Sequence, residues 1–222
     1  AAGILALAEA FPGTPLRIDP NGNWTVQTSL KIVRQLRGVL EYYEDPAPGL
    51  DGMAAVAREC DVPLATNMVV TDFAEFRRNA EMGCPVKIVL SDHHYWGGLR
   101  ATQRLSTLCK TFDLGLSMHS NSHLGISLVA MTHLAAATPN LGYACDTHYP
   151  WNSADEIVAG GALKFVDGAL PVPTSPGLGV TLDRDALARA HERYQRCGIR
   201  VRDDTGYLQR FRPEYSGKLP RW

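Results

Sequence analysis

Six short apolar runs, each closed by a polar side chain, recur along this chain at nearly constant spacing. They are Leu16-Arg17-Ile18-Asp19, Tyr42-Tyr43-Glu44-Asp45, Pro63-Leu64-Ala65-Thr66-Asn67, Val86-Lys87-Ile88-Val89-Leu90-Ser91-Asp92, Gly115-Leu116-Ser117-Met118-His119 and Gly142-Tyr143-Ala144-Cys145-Asp146. Their polar ends fall at Asp19, Glu44, Asn67, Asp92, His119 and Asp146, in steps of 25, 23, 25, 27 and 27 residues. A strand, a helix and two connections consume about that length, so the rhythm is that of a repeated βα unit. Between the runs lie helical stripes: Leu30, Val33, Leu36, Val39 and Leu40 in one, Ala101, Leu105, Leu108 and Phe112 in another. Near-continuous apolar strands alternating with helices give a parallel sheet covered by helices, an α/β architecture.

Such a sheet can close into a (β/α) barrel or stay open as a six-stranded doubly wound sheet. No G-x-G-x-x-G opens a helix after the first run, so a dinucleotide-binding sheet lacks its key residues. In a barrel the C-terminal strand ends converge on one face, where active sites lie. A closed barrel takes eight strands and six are counted here. A further segment, Asp183 to Arg196, reads as one more helix, with Leu187, Ala190 and Tyr194 on one side. Two barrel strands are therefore expected upstream of Ala1. Residues 1–222 are expected to form the C-terminal part of a single catalytic domain. The opening Ala1-Ala2-Gly3-Ile4-Leu5 lacks a charged region before it and reads as a helix already under way, not a signal peptide.

Composition narrows the partners. With 22 Lys and Arg against 23 Asp and Glu, nothing attracts a polyanion, and no basic run is interleaved with aromatics. Nucleic acid is not an expected partner. No segment is long and apolar enough to span a bilayer. Cys60, Cys84, Cys109, Cys145 and Cys197 are odd in number and contain no C-x-x-C, which speaks against a disulfide framework and a structural zinc site. Reduced thiols and a cytoplasmic location are expected.

Asp19, Glu44 and Asn67 close three consecutive strands and offer only hard oxygen donors. That set suits Mg²⁺, which favours near-octahedral oxygen ligation, better than zinc, which prefers nitrogen and sulfur. Taken singly, an Asp or Asn after a strand also serves as a helix N-cap. The next two strand ends pair Asp92 with His119. A carboxylate accepting from a ring N–H fixes the tautomer of the imidazole and strengthens it as a general base and then a general acid. His93, His94 and Tyr95 read as loop or lid residues, because adjacent side chains on extended chain diverge. His119 and His123 lack an intervening Glu, so a metalloprotease pair fails. Trp24, Trp96 and Trp151 each follow a strand end and suit packing at a barrel mouth.

Several segments carry a specific resemblance. RIDPNGNW (Arg17 to Trp24), YYEDP (Tyr42 to Pro46), ATNMVVTD (Ala65 to Asp72), SDHHYWGG (Ser91 to Gly98), SMHSNSHLGIS (Ser117 to Ser127) and CDTHYPW (Cys145 to Trp151) lie in order along the chain. PGLGVTLD (Pro176 to Asp183) and VRDD (Val201 to Asp204) follow. Together they resemble the glucarate dehydratases, acid-sugar dehydratases of the enolase superfamily. The resemblance implies a barrel of that type, with its N-terminal α+β capping domain and first strands absent here. It implies Mg²⁺ held by Asp19, Glu44 and Asn67, and catalysis by His119 and Asp92. It implies contacts to the sugar acid from Asp19, Asn21, Asn67, His119, Ser120, Asn121, His148 and Arg202, with Asp146 orienting His148.

The family also carries a Lys-x-Lys pair on the strand preceding the first metal ligand. Here the first lysine is Lys31, in a helical stripe, which agrees with strands missing upstream. The implied activity is a hydro-lyase removing the proton α to a carboxylate of an aldarate, with D-glucarate first. Dehydration or epimerisation of galactarate or idarate is the alternative within enzymes. A non-catalytic barrel piece is the alternative outside them. A small-molecule substrate and a homo-oligomer are the expected partners.

Overall fold

The computed structural model describes residues 1–220 and Trp222. Helices and strands alternate: α1 (Ala2–Ala10), β1 (Leu16–Ile18), α2 (Val26–Gln35), β2 (Leu40–Glu44), α3 (Gly49–Ala57), β3 (Leu64–Thr66), α4 (Phe73–Glu81), β4 (Ile88–Ser91), α5 (Leu99–Thr111) and β5 (Gly115–Met118). Helical elements follow: α6 (Gly125–Ala136), α7 (Tyr149–Asn152), a 3₁₀ turn (Ser153–Asp155), α8 (Arg184–Cys197) and α9 (Asp204–Gln209). The chain divides into two compact units. One holds Ala1–His119, Asn140–Ala144 and Leu219–Trp222; the other holds Ser120–Pro139 and Cys145–Lys218.

In the first unit five parallel strands lie in sequence order, each hydrogen-bonded to the next. Alternation along each strand sends side chains to two sides. Tyr43, Leu64, Val89 and Leu116 meet Leu30, Val33, Met53, Val56, Phe76, Leu105 and Cys109 of the helices in the main core. Tyr42, Ala65, Ile88 and Leu90 face the other way and form a smaller cluster inside the curl of the sheet, joined by Tyr143. Tyr42 and Tyr143 meet edge to face at 5.6 Å, and the Arg17 guanidinium sits 4.6 Å above Tyr42. Gly115 permits that crowding. A Cβ there would stand 2.6 Å from the Tyr143 ring and 2.9 Å from Ile88. The architecture is a curled half-barrel in which the helical stripes supply the outer layer.

Five strands form, where six runs predict six. Among the described residues no strand covers Gly142 to Asp146. Up to Ala144 this segment follows β5 closely, with Gly142 N–H donating to Leu116 O at 3.2 Å. Its carbonyls are then taken by side chains: Ser117 Oγ donates to Ala144 O at 2.9 Å, and Arg17 Nη1 donates to the same oxygen at 2.9 Å. Side-chain donors take the place of the backbone ladder, so the extended chain never becomes a sheet member.

Local chemistry explains the helix ends. Thr25, Asp72, Asp183 and Asp203 each accept a backbone N–H from the first turn of α2, α4, α8 and α9. Gly198, with φ of 71°, ends α8 in the left-handed conformation that glycine favours. Asn79, buried in α4, donates to Val86 O and accepts from Val86 N, tying the helix to the entry of β4. The helix expected from Asp183 forms at Arg184–Cys197, but Leu187 and Tyr194 stay largely exposed. Trp24 and Trp96 pack on Tyr43 and Phe73, as their positions suggest, whereas Trp151 is 80% exposed and only leans on His148.

In the second unit α6 buries Leu128, Val129, Met131 and Leu134, and one carboxylate ties its N-terminal end to the segment after the 3₁₀ turn. Glu156 accepts from Gly125 N (3.2 Å), Ile157 N (2.6 Å), Val158 N (2.9 Å) and the Tyr149 hydroxyl. Burial, reinforced by the bond to Glu156, pushes the Tyr149 phenol up to about 12. The Tyr149 oxygen also accepts from Leu163 N at 2.8 Å. All five cysteines are free thiols. Among the described residues no helix is long and apolar enough to cross a membrane.

Candidate active site

Parallel register places the C-terminal strand ends of the first unit side by side, and their polar residues with them. Asp19 follows β1, Glu44 closes β2, Asn67 follows β3, Asp92 follows β4 and His119 follows β5. Glu44, Asn67, Asp92 and His119 are buried, while Asp19 is exposed.

Two groups result. The first is an oxygen cluster. One oxygen each of Asp19, Glu44 and Asp45 lie within 4.8 Å of one another. Asn67 Nδ2 donates to Glu44 Oε1 at 2.6 Å, which leaves the Asn67 carbonyl oxygen as that amide's only atom suited to a cation. Asn21 N–H donates to Asp19 Oδ1 at 2.7 Å, so the loop after β1 folds back on its own acid. Three carboxylates from two neighbouring strand ends, with the carbonyl oxygen of Asn67 as a further donor, fit a hard divalent cation. The set expected from the sequence is therefore brought together, and a residue not foreseen joins it. Asp45 is 1% exposed and has a φ of 35°. Burial pushes its carboxyl up to about 7, against the pull of hydrogen bonds from Thr66 and Asn67 and with a push from the Asp19 charge. Two consecutive acids at the end of a strand were the available signal.

The second group is the dyad. His119 Nδ1 lies 3.3 Å from Asp92 Oδ2. The other Asp92 oxygen takes His94, both at the backbone N–H (2.9 Å) and at ring Nδ1 (2.8 Å). Tyr95 stacks on His119 with 6.2 Å between ring centres and planes 26° apart. His94 and Tyr95, expected as loop or lid residues, lie in that loop and between them touch both members of the dyad. The reason is that Asp92 opens a tight turn in which Tyr95 N–H and Trp96 N–H both reach the Asp92 carbonyl. That folding brings residues two and three positions on back over the strand end, where an extended loop would have splayed them. A cleft of about 480 Å³ lined by Asn67, Met68, Thr71, Asp72 and Tyr95 opens at this face. A cavity of similar size lined by Cys60, Val62, Pro63 and Lys87 lies at the opposite, N-terminal ends of β3 and β4 and holds none of these groups.

The remaining sequence candidates belong to the second unit. Ser120 is buried; its N–H donates to Asp146 Oδ1 at 2.8 Å and its hydroxyl to Thr147 Oγ1 at 3.0 Å. The Asp146 oxygen thus serves Ser120. His148 leans on Trp151. Asn121 lies in the turn before α6, where its carbonyl accepts from His123 N. Arg202, 73% exposed, forms a two-toothed ion pair with Asp204, whose carboxyl it holds below the usual range.

Residues 1–186 match the family model described as enolase C-terminal domain-like. The chain is 54% identical over its whole length to a probable glucarate dehydratase of Streptomyces coelicolor, of which it covers 51%. It is 28% identical to an arabinonate dehydratase of Saccharolobus solfataricus over 78% of the chain and 46% of that protein. Among solved structures, an enolase of Pseudomonas fluorescens with bound magnesium, potassium and tartrate superposes with a TM-score of 0.96 at 58% identity, covering all of this chain and 52% of that one. An enolase of Thermobispora bispora complexed with magnesium and formate superposes with a TM-score of 0.95 at 60% identity, with the same coverage. The chain spans about half the length of the curated relatives it matches. On these matches and this half-barrel, the chain belongs to the enolase C-terminal domain-like family.

Proposed function

We propose that this chain is the catalytic barrel portion of a Mg²⁺-dependent dehydratase acting on an aldarate, with D-glucarate as its substrate. One observation carries the reading: a carboxylate cluster at Asp19, Glu44 and Asp45, with the Asn67 amide bonded to Glu44, shares a face with a His119–Asp92 dyad at the ends of five successive strands. The identity to a probable glucarate dehydratase over the full chain supports the same substrate class.

The proton α to a carboxylate is weakly acidic, so its removal needs a strong positioned base and stabilisation of the charge that develops. Mg²⁺, which Asp19, Glu44 and Asn67 would hold, would supply that stabilisation electrostatically. Asp92 keeps His119 in one tautomer by accepting at Nδ1, which directs the Nε2 lone pair at the substrate. His119 takes the α-proton as the Cα–H bond breaks. The protonated ring then gives that proton to the β-hydroxyl, which departs as water, and the enol product tautomerises to a keto-deoxy aldarate. Asn21, Ser120, Asn121, His148 and Arg202 contribute contacts to the sugar acid. For Arg202 this requires release from Asp204, an exposed pair worth little in water. The two units act as parts of one catalytic domain, in a homo-oligomeric, cytoplasmic enzyme.

The test uses the full-length protein with Mg²⁺ and a panel of glucarate, galactarate and idarate, following keto-deoxy product. Glucarate is the expected best substrate; turnover of another aldarate alone moves the specificity, and turnover of none removes the reading. His119→Asn is expected to lower turnover by at least about 10³-fold, within the range for loss of a general acid-base, with Mg²⁺ binding retained. Undiminished turnover in that variant would mean that the dyad is misassigned.

A further inference from the structure

Asp45 stands next to the proposed ligand Glu44, yet its own bonds run elsewhere. Its backbone N–H continues the sheet ladder to Ala65 O at 2.9 Å. Its carbonyl accepts from Gly22 N at 2.8 Å, three residues past Asp19. Its carboxylate accepts from the Thr66 hydroxyl at Oδ1 and from Asn67 N–H at Oδ2, the latter at 3.1 Å. The Thr66 oxygen in turn accepts from Met68 N (3.1 Å) and Val69 N (2.8 Å), which closes the turn after β3. One residue at the end of β2 therefore grips the loop that follows β1 and the turn that follows β3.

Backbone geometry makes this possible. A φ of 35° is the left-handed region, which costs a non-glycine residue energy and which Asp tolerates better than most. That bend turns the Asp45 carboxylate toward β3, while one of its oxygens stays within 4.8 Å of an oxygen of Asp19 and of Glu44. The residue is also almost completely buried beside other acids. Burying a carboxylate there is costly, and its hydrogen bonds to Thr66 and Asn67 offset part of that cost. A turn needing only local closure would be served by a neutral Asn or Ser.

We infer that Asp45 is the positioning residue of the oxygen cluster, holding the loops of Asp19 and Asn67 against the end of β2 and so setting the spacing of the three ligands. This rests on the magnesium reading above. Both carboxylate oxygens of Asp45 are engaged by protein donors, which suits an orienting group better than a primary ligand. Partners of this kind, one shell out from a metal, typically change its affinity by about 10- to 100-fold when removed.

The test uses the full chain and Mn²⁺ as the probe, with the dissociation constant read from the electron paramagnetic resonance of free Mn²⁺, beside thermal unfolding without metal. Asp45→Asn and Thr66→Val should each weaken Mn²⁺ binding by about tenfold or more. Thr66→Ser, which keeps the hydroxyl, should stay within about twofold of the parent, and the double variant should lose less than the product of the two single losses, because the Thr66–Asp45 bond is shared while Asn67 N–H depends on Asp45 alone. A role confined to folding predicts lower thermal stability with unchanged Mn²⁺ affinity in the folded protein, and that result overturns the inference. Loss of affinity in Asp45→Asn with none in Thr66→Val would make Asp45 a direct ligand and overturn it too. Should Asp45→Asn not fold, the contrast between Thr66→Val and Thr66→Ser decides alone. Absence of Mn²⁺ binding in the parent chain removes the magnesium reading and this inference with it.

Discussion

The two units of this chain are held together by different means. In the first, a ladder of backbone hydrogen bonds sets five strands in order, and Leu36, Tyr43, Met53, Val56 and Leu116 are wholly buried around them. In the second, apolar burial is concentrated in α6, at Leu128, Val129, Met131 and Leu134; α8 and α9 contain no buried residue, and the connections between α6 and α8 are tied by Glu156 and Tyr149. A ladder repeats with the chain, so its stability is spread over many similar contacts. A carboxylate hub concentrates stability in one side chain whose loss orphans several donors at once. The difference teaches that a periodic sequence advertises the first kind of structure and hides the second.

Mutations can break that comparison or sharpen it. The largest effect is expected in the ladder unit. Leu64→Ala, in a fully buried strand, should cost about 2–5 kcal/mol in denaturant unfolding, from the buried methyl groups it removes. Glu156→Ala should cost about 3 kcal/mol, from unpaired donors at Gly125, Ile157, Val158 and Tyr149. Hydrogen exchange should localise that loss to the second unit; a loss spread equally over β1–β5 would erase the distinction drawn here. Caps should behave alike in both units. Asp72→Ala and Asp183→Ala each remove one N-terminal acceptor and should cost about 1 kcal/mol by thermal unfolding. A large gap between them would show that burial of the helix, rather than its cap, sets the cost. The smallest effect is expected for Arg193→Ala. Its pair with Asp155 is exposed at both ends, and about 0–1 kcal/mol is the usual worth of such a pair.

The strand ends are legible because two signals coincide. A short, near-continuous apolar run closed by a polar residue marks each strand, and the recurrence of about 25 residues marks the βα unit. Parallel pairing then brings Asp19, Glu44, Asn67, Asp92 and His119 to one edge with no long-range information needed. Gly142 to Asp146 carries the same local pattern yet forms no strand. What it lacks is invisible in its own residues: Ser117 and Arg17, distant in the chain, take its Ala144 carbonyl. Asp45 escaped for a related reason. Its side chain follows a positive φ and the hydroxyl of a residue 21 positions away, and neither leaves a trace in spacing. His94 and Tyr95 are the loop residues the sequence suggests, but their contacts with the dyad follow from the turn opened by Asp92, which residue type and spacing do not show.

Taken by itself, the sequence determined the βα rhythm, the helix caps, the oxygen character of the candidate metal site and the family to which the chain belongs. All of these depend on residue type and short-range periodicity. Only the tertiary structure decided that five strands rather than six pair, that the sheet curls around Tyr42 and Tyr143, and that Asp45 binds the ligand loops together. Those outcomes depend on which distant donor reaches a given oxygen first. A hydrogen bond requires both partners within about 3 Å, and only folding brings them there.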